Sequence, residues 1–198
     1  MSQDLIQTID FDALYQEQCR RSSFGPRTST DWDRRAERRN RHEPDSDYSR
    51  AFLARMDLTG AKTALDIGCG TGNLAIPLAQ RLRQVHALDF SPEMLRYLEK
   101  NRRHAGVDNL VAHRLSWTDS WKEIPAVDIV VCSRAMSVEH LRDALEKLNR
   151  KTRLRCYLTI RSGGSYLGPE VSDLLERTLE LEDKSKGLAE VQANAAKP

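Results

Sequence analysis

From residue 63 onward, short apolar runs alternate with stretches whose apolar side chains recur every three or four positions. TALDIG, 63–68, is an apolar run bounded by glycine and predicts a buried strand. Leu74, Leu78 and Leu82 follow on one helical stripe, with Pro77 near the first turn, where its missing N–H costs little. QVHALDF, 84–90, predicts a second strand. Ser91-Pro92-Glu93 then combines a cap, a proline at the first helical position and an acid. Met94, Leu95 and Leu98 form that helix's buried face, and Gly106 ends it. NLVAHRLS, 109–116, alternates as a third strand, and VDIVVCS, 127–133, is a continuous fourth. Leu141, Ala144, Leu145 and Leu148 have the spacing of a surface helix. RLRCYLTIR, 153–161, alternates as a fifth strand and breaks at Gly163-Gly164. Val171, Leu174, Leu175 and Leu179 predict one more helix. The polar, alanine-rich stretch after about Glu182 reads as frayed helix or disorder.

Ahead of residue 50 the pattern is different. Few aliphatic residues follow Leu14, and RRAERRNR, 34–41, holds five arginines and one glutamate. Thr30 reads as an N-cap for this helix, with Asp31 and Asp33 in its first turn. Ser46-Asp47 opens a second amphipathic helix carrying Tyr48, Phe52, Leu53 and Met56, ended by Thr59-Gly60. Three segments are therefore expected: a helical arm, 1–50, a main domain, 51–182, and a polar tail, 183–198. In the main domain, alternating strands and helices predict a doubly wound, mostly parallel α/β sheet, which binds ligands beyond the carboxyl ends of its strands.

Composition narrows the function classes. At 198 residues the chain is one ordinary domain with an added arm. A net charge of +2 and a pI of about 8.4 are too mild to argue for nucleic acid by themselves, and the mean hydropathy is −0.60. No apolar stretch approaches the roughly 20 residues of a membrane span, so no membrane association is expected. The N-terminal stretch lacks a signal peptide's charged and apolar regions. Cys19, Cys69, Cys132 and Cys156 include no CxxC pair, which argues against a metal or disulfide framework and for a reducing cytoplasm.

The candidate chemistry lies in LDIGCGTG, 65–72, with Gly68, Gly70 and Gly72 on alternate positions at the end of the first strand. A dinucleotide fingerprint, G-x-G-x-x-G, would need glycine where Asn73 stands, and no GK[ST] follows to make a P-loop. The D-x-G-x-G-x-G pattern closely resembles the first motif of the class I S-adenosylmethionine-dependent methyltransferases. Asp89 supplies the acid that this family carries at the end of its second strand, 21 positions after Gly68.

The resemblance implies a Rossmann-like methyltransferase fold with S-adenosyl-L-methionine as cofactor. Gly68, Cys69, Gly70 and Gly72 would offer main chain to the amino acid and ribose portions. Asp66 would order the loop and receive the ammonium group, and Asp89 both ribose hydroxyls. Phe90 and Met94 would neighbour the adenosine. Ser116 and Trp117 stand where many members carry an Asp-Ala pair near the adenine; Trp117 either covers the ring or belongs to the core. Asp119, slightly later, either reaches the adenine amino group or is an exposed loop acid. Ser133 and Arg134 fall where the donor's methionine end meets the acceptor. Arg134, His140 and Tyr15 are the candidate catalytic residues, with Arg134 able to pair an anionic substrate and His140 also readable as a solvated helix-start residue. Tyr15, Trp32 and Tyr48 could line a lid.

The sequence also departs from the family pattern. The Asn/Asp-Pro-Pro-Tyr/Phe clamp of amino-group methylases is absent after the fourth strand, which disfavours nucleobase N-methylation. The family sheet has seven strands closed by a hairpin, whereas the pattern here stops after the fifth strand and one helix, as in a C-terminally shortened fold. The expected function is methyl transfer to a small-molecule acceptor. The alternatives are an RNA or protein methyltransferase using the basic arm, or a donor-binding but inactive remnant. Nothing in the sequence bears on oligomeric state.

Overall fold

The computed structural model describes residues 9–21, 27–42 and 46–159. The helix expected over 171–179 and the tail after 182 lie outside these residues. Contacts divide the chain into two units, 1–16 with 26–161 and 17–25 with 162–198. The described part of the second unit is 17–21, where Glu17 pairs with Arg20 at 3.0 Å and Arg21 at 2.6 Å.

Three helices come first: α1 (Phe11–Arg21), α2 (Ser29–His42) and α3 (Asp47–Ala54). Then β1 (Thr63–Ile67), α4 (Ala75–Ala79), β2 (Gln84–Asp89), α5 (Pro92–His104), β3 (Leu110–Arg114), β4 (Val127–Ser133), α6 (Leu141–Lys151) and β5 (Thr152–Thr159) follow. The five strands form one sheet in the order β3-β2-β1-β4-β5, and all four pairings are parallel. The order reverses between β1 and β4, so the loops that leave their carboxyl ends diverge and open a crevice.

Burial follows the period of two along the strands. Ala64, Val85, Ala87, Ile129 and Val131 pack with Leu53 of α3, Leu78 of α4 and Leu98 of α5. Leu65, Ile67, Leu88, Val130 and Cys132 face the opposite way, onto Trp121, Ile124 and Ala144 and Leu148 of α6. Both faces of the central strands are covered, which explains why β1 and β4 read as continuous apolar runs.

Some helix ends differ from the sequence expectation. α2 is capped by Thr28 rather than Thr30: its Oγ1 accepts the Asp31 N–H at 3.3 Å, and its own N–H donates to Asp31 Oδ2 at 3.1 Å. This reciprocal box needs an acid three positions after the cap, which Thr28 has in Asp31. α3 ends at Ala54, and Met56 packs on the core from outside the helix. α4 stops at Ala79, leaving Leu82 buried in the following turn. In α6, Leu145 is exposed while Ala144 and Leu148 are buried. Ser91 caps α5 as expected, with Pro92 at its start, and Gly106 follows its end at φ +64°. Among the described residues no helix is long and apolar enough to cross a membrane, and no group of three or more His, Cys, Asp or Glu could hold a metal ion.

Candidate active site

The carboxyl ends of β1, β2 and β4 bring most of the expected residues together. Directly after β1, the Gly68 and Cys69 N–H groups both donate to Leu88 O of β2, at 2.7 and 3.0 Å, so the glycine loop is stitched to the neighbouring strand. Gly68, Gly70 and Gly72 have φ of +67°, +54° and +98°. The space around them differs. A Cβ on Gly68 would lie 2.4 Å from Ala135 Cβ, and one on Gly72 would lie 2.5 Å from Leu98 Cδ1. A Cβ on Gly70 would meet nothing nearer than Met94 Sδ at 3.9 Å. Gly68 and Gly72 are thus bare because protein packs on them, and Gly70 is the open ledge.

Asp89, at the end of β2, is 7% exposed. Its Oδ2 accepts the Gly70 N–H at 2.9 Å and its Oδ1 the Ser91 N–H at 2.9 Å. Burial raises its pKa despite these N–H donors and that of Phe90, and the nearby Asp33 adds to the rise. These three N–H donors do not exhaust the acceptor capacity of the two carboxylate oxygens.

Asp66, inside β1, is 2% exposed and accepts the Ala75 N–H at the head of α4, tying down the far end of the glycine loop. Burial and then the Asp89 charge push its pKa up to about 8. A folded-state pKa above the unfolded value stabilises fully below the ordinary carboxylate range, and that stabilisation is lost as pH rises through about 8. Asp66→Asn removes the ionisation. We expect the melting temperature of this variant, relative to wild type, to rise progressively between pH 5 and pH 8.5. The His86–His113 pair, whose ring nitrogens are 2.9 Å apart and whose pKa values burial lowers, titrates in both proteins and cancels in the difference.

After β3, the Ser116 N–H and hydroxyl both bind Asp119 Oδ2, at 2.7 and 2.8 Å, which occupies this acid locally. Trp117 is half-buried; its Nε1 donates to Ala135 O at 3.0 Å and its ring lies 5.1 Å from Trp121. It therefore joins the β3 loop to the β4 loop above Gly68. After β4, Ser133 Oγ is 2.6 Å from the Tyr48 hydroxyl, which is also 2.9 Å from Thr159 Oγ1. The Arg134 guanidinium lies over the Tyr48 ring, 4.1 Å from its centroid.

The other two catalytic candidates make their contacts between α1 and the segment from β4 to α6. Tyr15 donates its hydroxyl to Val138 O at 2.9 Å. His140 is exposed at the cap position of α6, with Nδ1 3.1 Å from Gln16 Nε2.

The part played by α2 is not evident from the sequence. Asp33 Oδ1 accepts the Ser91 hydroxyl at 2.5 Å and the Glu93 N–H at 3.2 Å, so it serves the start of α5 rather than its own helix. Asn40 Oδ1 accepts from Asn101 Nδ2 at 2.7 Å, and the same amide donates to Thr71 O of the glycine loop at 2.9 Å. Ala36, between these anchors, is fully buried. A buried alanine flanked by polar residues at helical spacing was the available signal. Arg34 and Arg41 pair with Asp31 and Glu37, while Arg27, Arg35 and Arg39 surround the Trp32 ring at 5.7–5.8 Å.

A parallel sheet ordered β3-β2-β1-β4-β5, with a glycine loop after β1 and a buried acid after β2, defines a Rossmann-like domain of the methyltransferase type. Residues 64–154 match the methyltransferase domain family, and this part of the chain is a methyltransferase domain. An uncharacterized protein of Haemophilus influenzae is 34% identical over 177 residues, covering 87% of this chain and 65% of that one. A probable cobalt-precorrin-6B C(15)-methyltransferase (decarboxylating) of Methanothermobacter thermautotrophicus is 39% identical over 69 residues, 34% of this chain and 36% of that one. The chain thus spans about two thirds of the first relative and about a third of the second. Among solved structures, a DhpI–SAH complex shares the fold with a TM-score of 0.53 at 19% identity, covering 70% of this chain and 64% of that one.

Proposed function

We propose that the protein transfers the methyl group of S-adenosylmethionine to a small-molecule acceptor. The observation that carries this reading is the open Gly70 ledge joined to the buried Asp89 carboxylate by a 2.9 Å hydrogen bond. The chemistry of these groups fits the donor. A side-chain-free ledge admits a nucleoside against main chain, and an acceptor-only carboxylate is matched to two vicinal hydroxyls. No phosphate-binding turn is needed for a ligand without phosphate. Cys69 contributes main chain between the glycines, and Phe90 and Met94 flank the ledge with apolar surface. Ser116 and Trp117 line the side toward the adenine, and Ser133 the side toward the methionine end. Asp66 holds the loop and faces the donor's ammonium group. The helices ahead of residue 50 act as an arm on this domain, a role supported by Asp33 on Ser91 and Tyr15 on Val138.

When bound, the donor supplies a methyl group already activated on a sulfonium, with a neutral sulfur as leaving group. The protein's task is then to align this group with the acceptor and keep water out. A base is required only when the acceptor must lose a proton. Tyr15 has committed its hydroxyl proton to main chain, and His140 leans on Gln16. Arg134 retains its polar atoms for the acceptor.

The test is calorimetric titration with S-adenosylhomocysteine, followed by incubation of the protein with methyl-labelled donor and a cell extract. We expect binding, and label in the low-mass fraction. Absence of binding alongside a response to NAD would remove the methyltransferase reading. Label confined to RNA or protein would replace the acceptor class.

A further inference from the structure

Arg134 combines three features that do not ordinarily occur together in a surface arginine. Its φ is +56°, and among the described residues it is the only non-glycine residue with positive φ. Its backbone is nevertheless held: the Arg134 N–H donates to Thr159 O at 3.1 Å and also lies 3.2 Å from Thr159 Oγ1. Its side chain is exposed but not loose, because the guanidinium rests 4.1 Å from the Tyr48 centroid. The ring beneath it is fixed in turn, since the Tyr48 hydroxyl is within hydrogen-bond distance of both Ser133 Oγ and Thr159 Oγ1. No carboxylate among the described residues pairs with Arg134; Asp47, next to Tyr48, is paired with Arg50.

Location gives this arrangement a meaning. Arg134 directly follows β4, at the point where the strand order reverses. The next residue, Ala135, presses on Gly68 so closely that no Cβ would fit there. The guanidinium is therefore carried by the segment that closes onto the glycine loop, one residue from the contact. Left-handed backbone in a branched or long residue costs free energy and persists where the surroundings impose it, most often at functional sites. A planar fork of N–H donors, stacked on an aromatic face and unspent on protein acids, is matched to an oxyanion bound through two parallel hydrogen bonds.

We propose that the methyl acceptor is an anion bearing a carboxylate or phosphate group, and that Arg134, stacked on Tyr48, is the residue that clamps it beside the donor. The proposal rests on the methyltransferase reading and adds the acceptor's chemical class. Specificity arises because a neutral analogue leaves the fork unpaired.

The experiment uses the full chain saturated with S-adenosylhomocysteine and three probes of similar shape, benzoate, phenyl phosphate and benzamide, at constant ionic strength. We expect benzoate or phenyl phosphate, but not benzamide, to bind and to raise the melting temperature. A response to one anion only identifies the acceptor as a carboxylic acid or as a phosphate monoester. Arg134→Gln should weaken anion binding by about tenfold or more, and Arg134→Lys by less, because a point charge replaces the fork. Arg134→Gly accepts the positive φ, so it should fold with no loss of melting temperature and still lose the anion response. Equal binding of benzamide, no binding of either anion, or an anion response retained in Arg134→Gln and Arg134→Gly would overturn the proposal. Failure of the wild type to bind S-adenosylhomocysteine would instead remove the methyltransferase reading itself.

Discussion

Asp89→Asn binds S-adenosylhomocysteine on the order of 100-fold more weakly than wild type while losing little stability at pH 8. The carboxylate offers a charged acceptor to two ribose hydroxyls, and a hydrogen bond to a charged group contributes about 1.5–3 kcal/mol. Loss of that charge at two bonds accounts for a hundredfold change or more. Stability responds differently because burial raises the Asp89 pKa. A raised folded-state pKa means that the buried group stabilises fully below the carboxylate range and loses that contribution as pH rises through its folded value. Removing the ionisation therefore helps the fold at pH 8. Against this, the asparagine amide replaces one of the two oxygens that accept from Gly70 and Ser91, a loss of about 1 kcal/mol. The two changes oppose each other. Calorimetric titration and urea denaturation at pH 8 measure the two quantities on the same sample. Undiminished affinity would show that Asp89 serves only the Gly70 and Ser91 turns.

Gly68→Ala is the most damaging single substitution we expect in the glycine loop. At φ +67° an alanine carries left-handed strain of about 1–2 kcal/mol. Its Cβ would also lie 2.4 Å from Ala135 Cβ. That atom is fixed directly to main chain, so relief requires the β4 loop to move, and overpacking of this kind costs about 1–3 kcal/mol. Together these predict a loss of about 2–5 kcal/mol in urea denaturation, with weakened donor binding as the loop separates. Adding Ala135→Gly should recover the steric part and leave the backbone part, which a double-mutant cycle separates. Gly70→Ala, with no comparable contact, should retain more stability than Gly68→Ala and lose donor affinity instead.

The strand and helix order was largely legible in the sequence because it depends on local periodicity and punctuation. β2 and β4 were bounded by composition alone, and Ser91-Pro92-Glu93 and Gly106 delimited α5 to within a residue or two. α4 and the cap of α2 were misjudged for local reasons too. A leucine spacing of four continues past the end of a five-residue helix, and Thr28 and Thr30 both have an acid three positions later or closer. The candidate site was legible only in part. The glycine and aspartate positions stood out, but the three glycines looked equivalent along the chain and are not equivalent in space.

By itself, the sequence determined that a parallel α/β sheet would form and that a bare loop and an acid would stand one crossover apart, since both follow from spacing within about 25 residues. Only the tertiary structure decided what each of those residues faces. Ala135 on Gly68, Asp33 on Ser91, and Tyr48 between Ser133 and Thr159 are meetings of residues about 60 to 110 positions apart. They arise because the reversal of strand order beside β1 brings the β1 and β4 loops to the same crevice, and because α2 packs along α5. Periodicity records which side of a strand or helix is apolar; it carries no information on which distant side chain will fill the space beyond it.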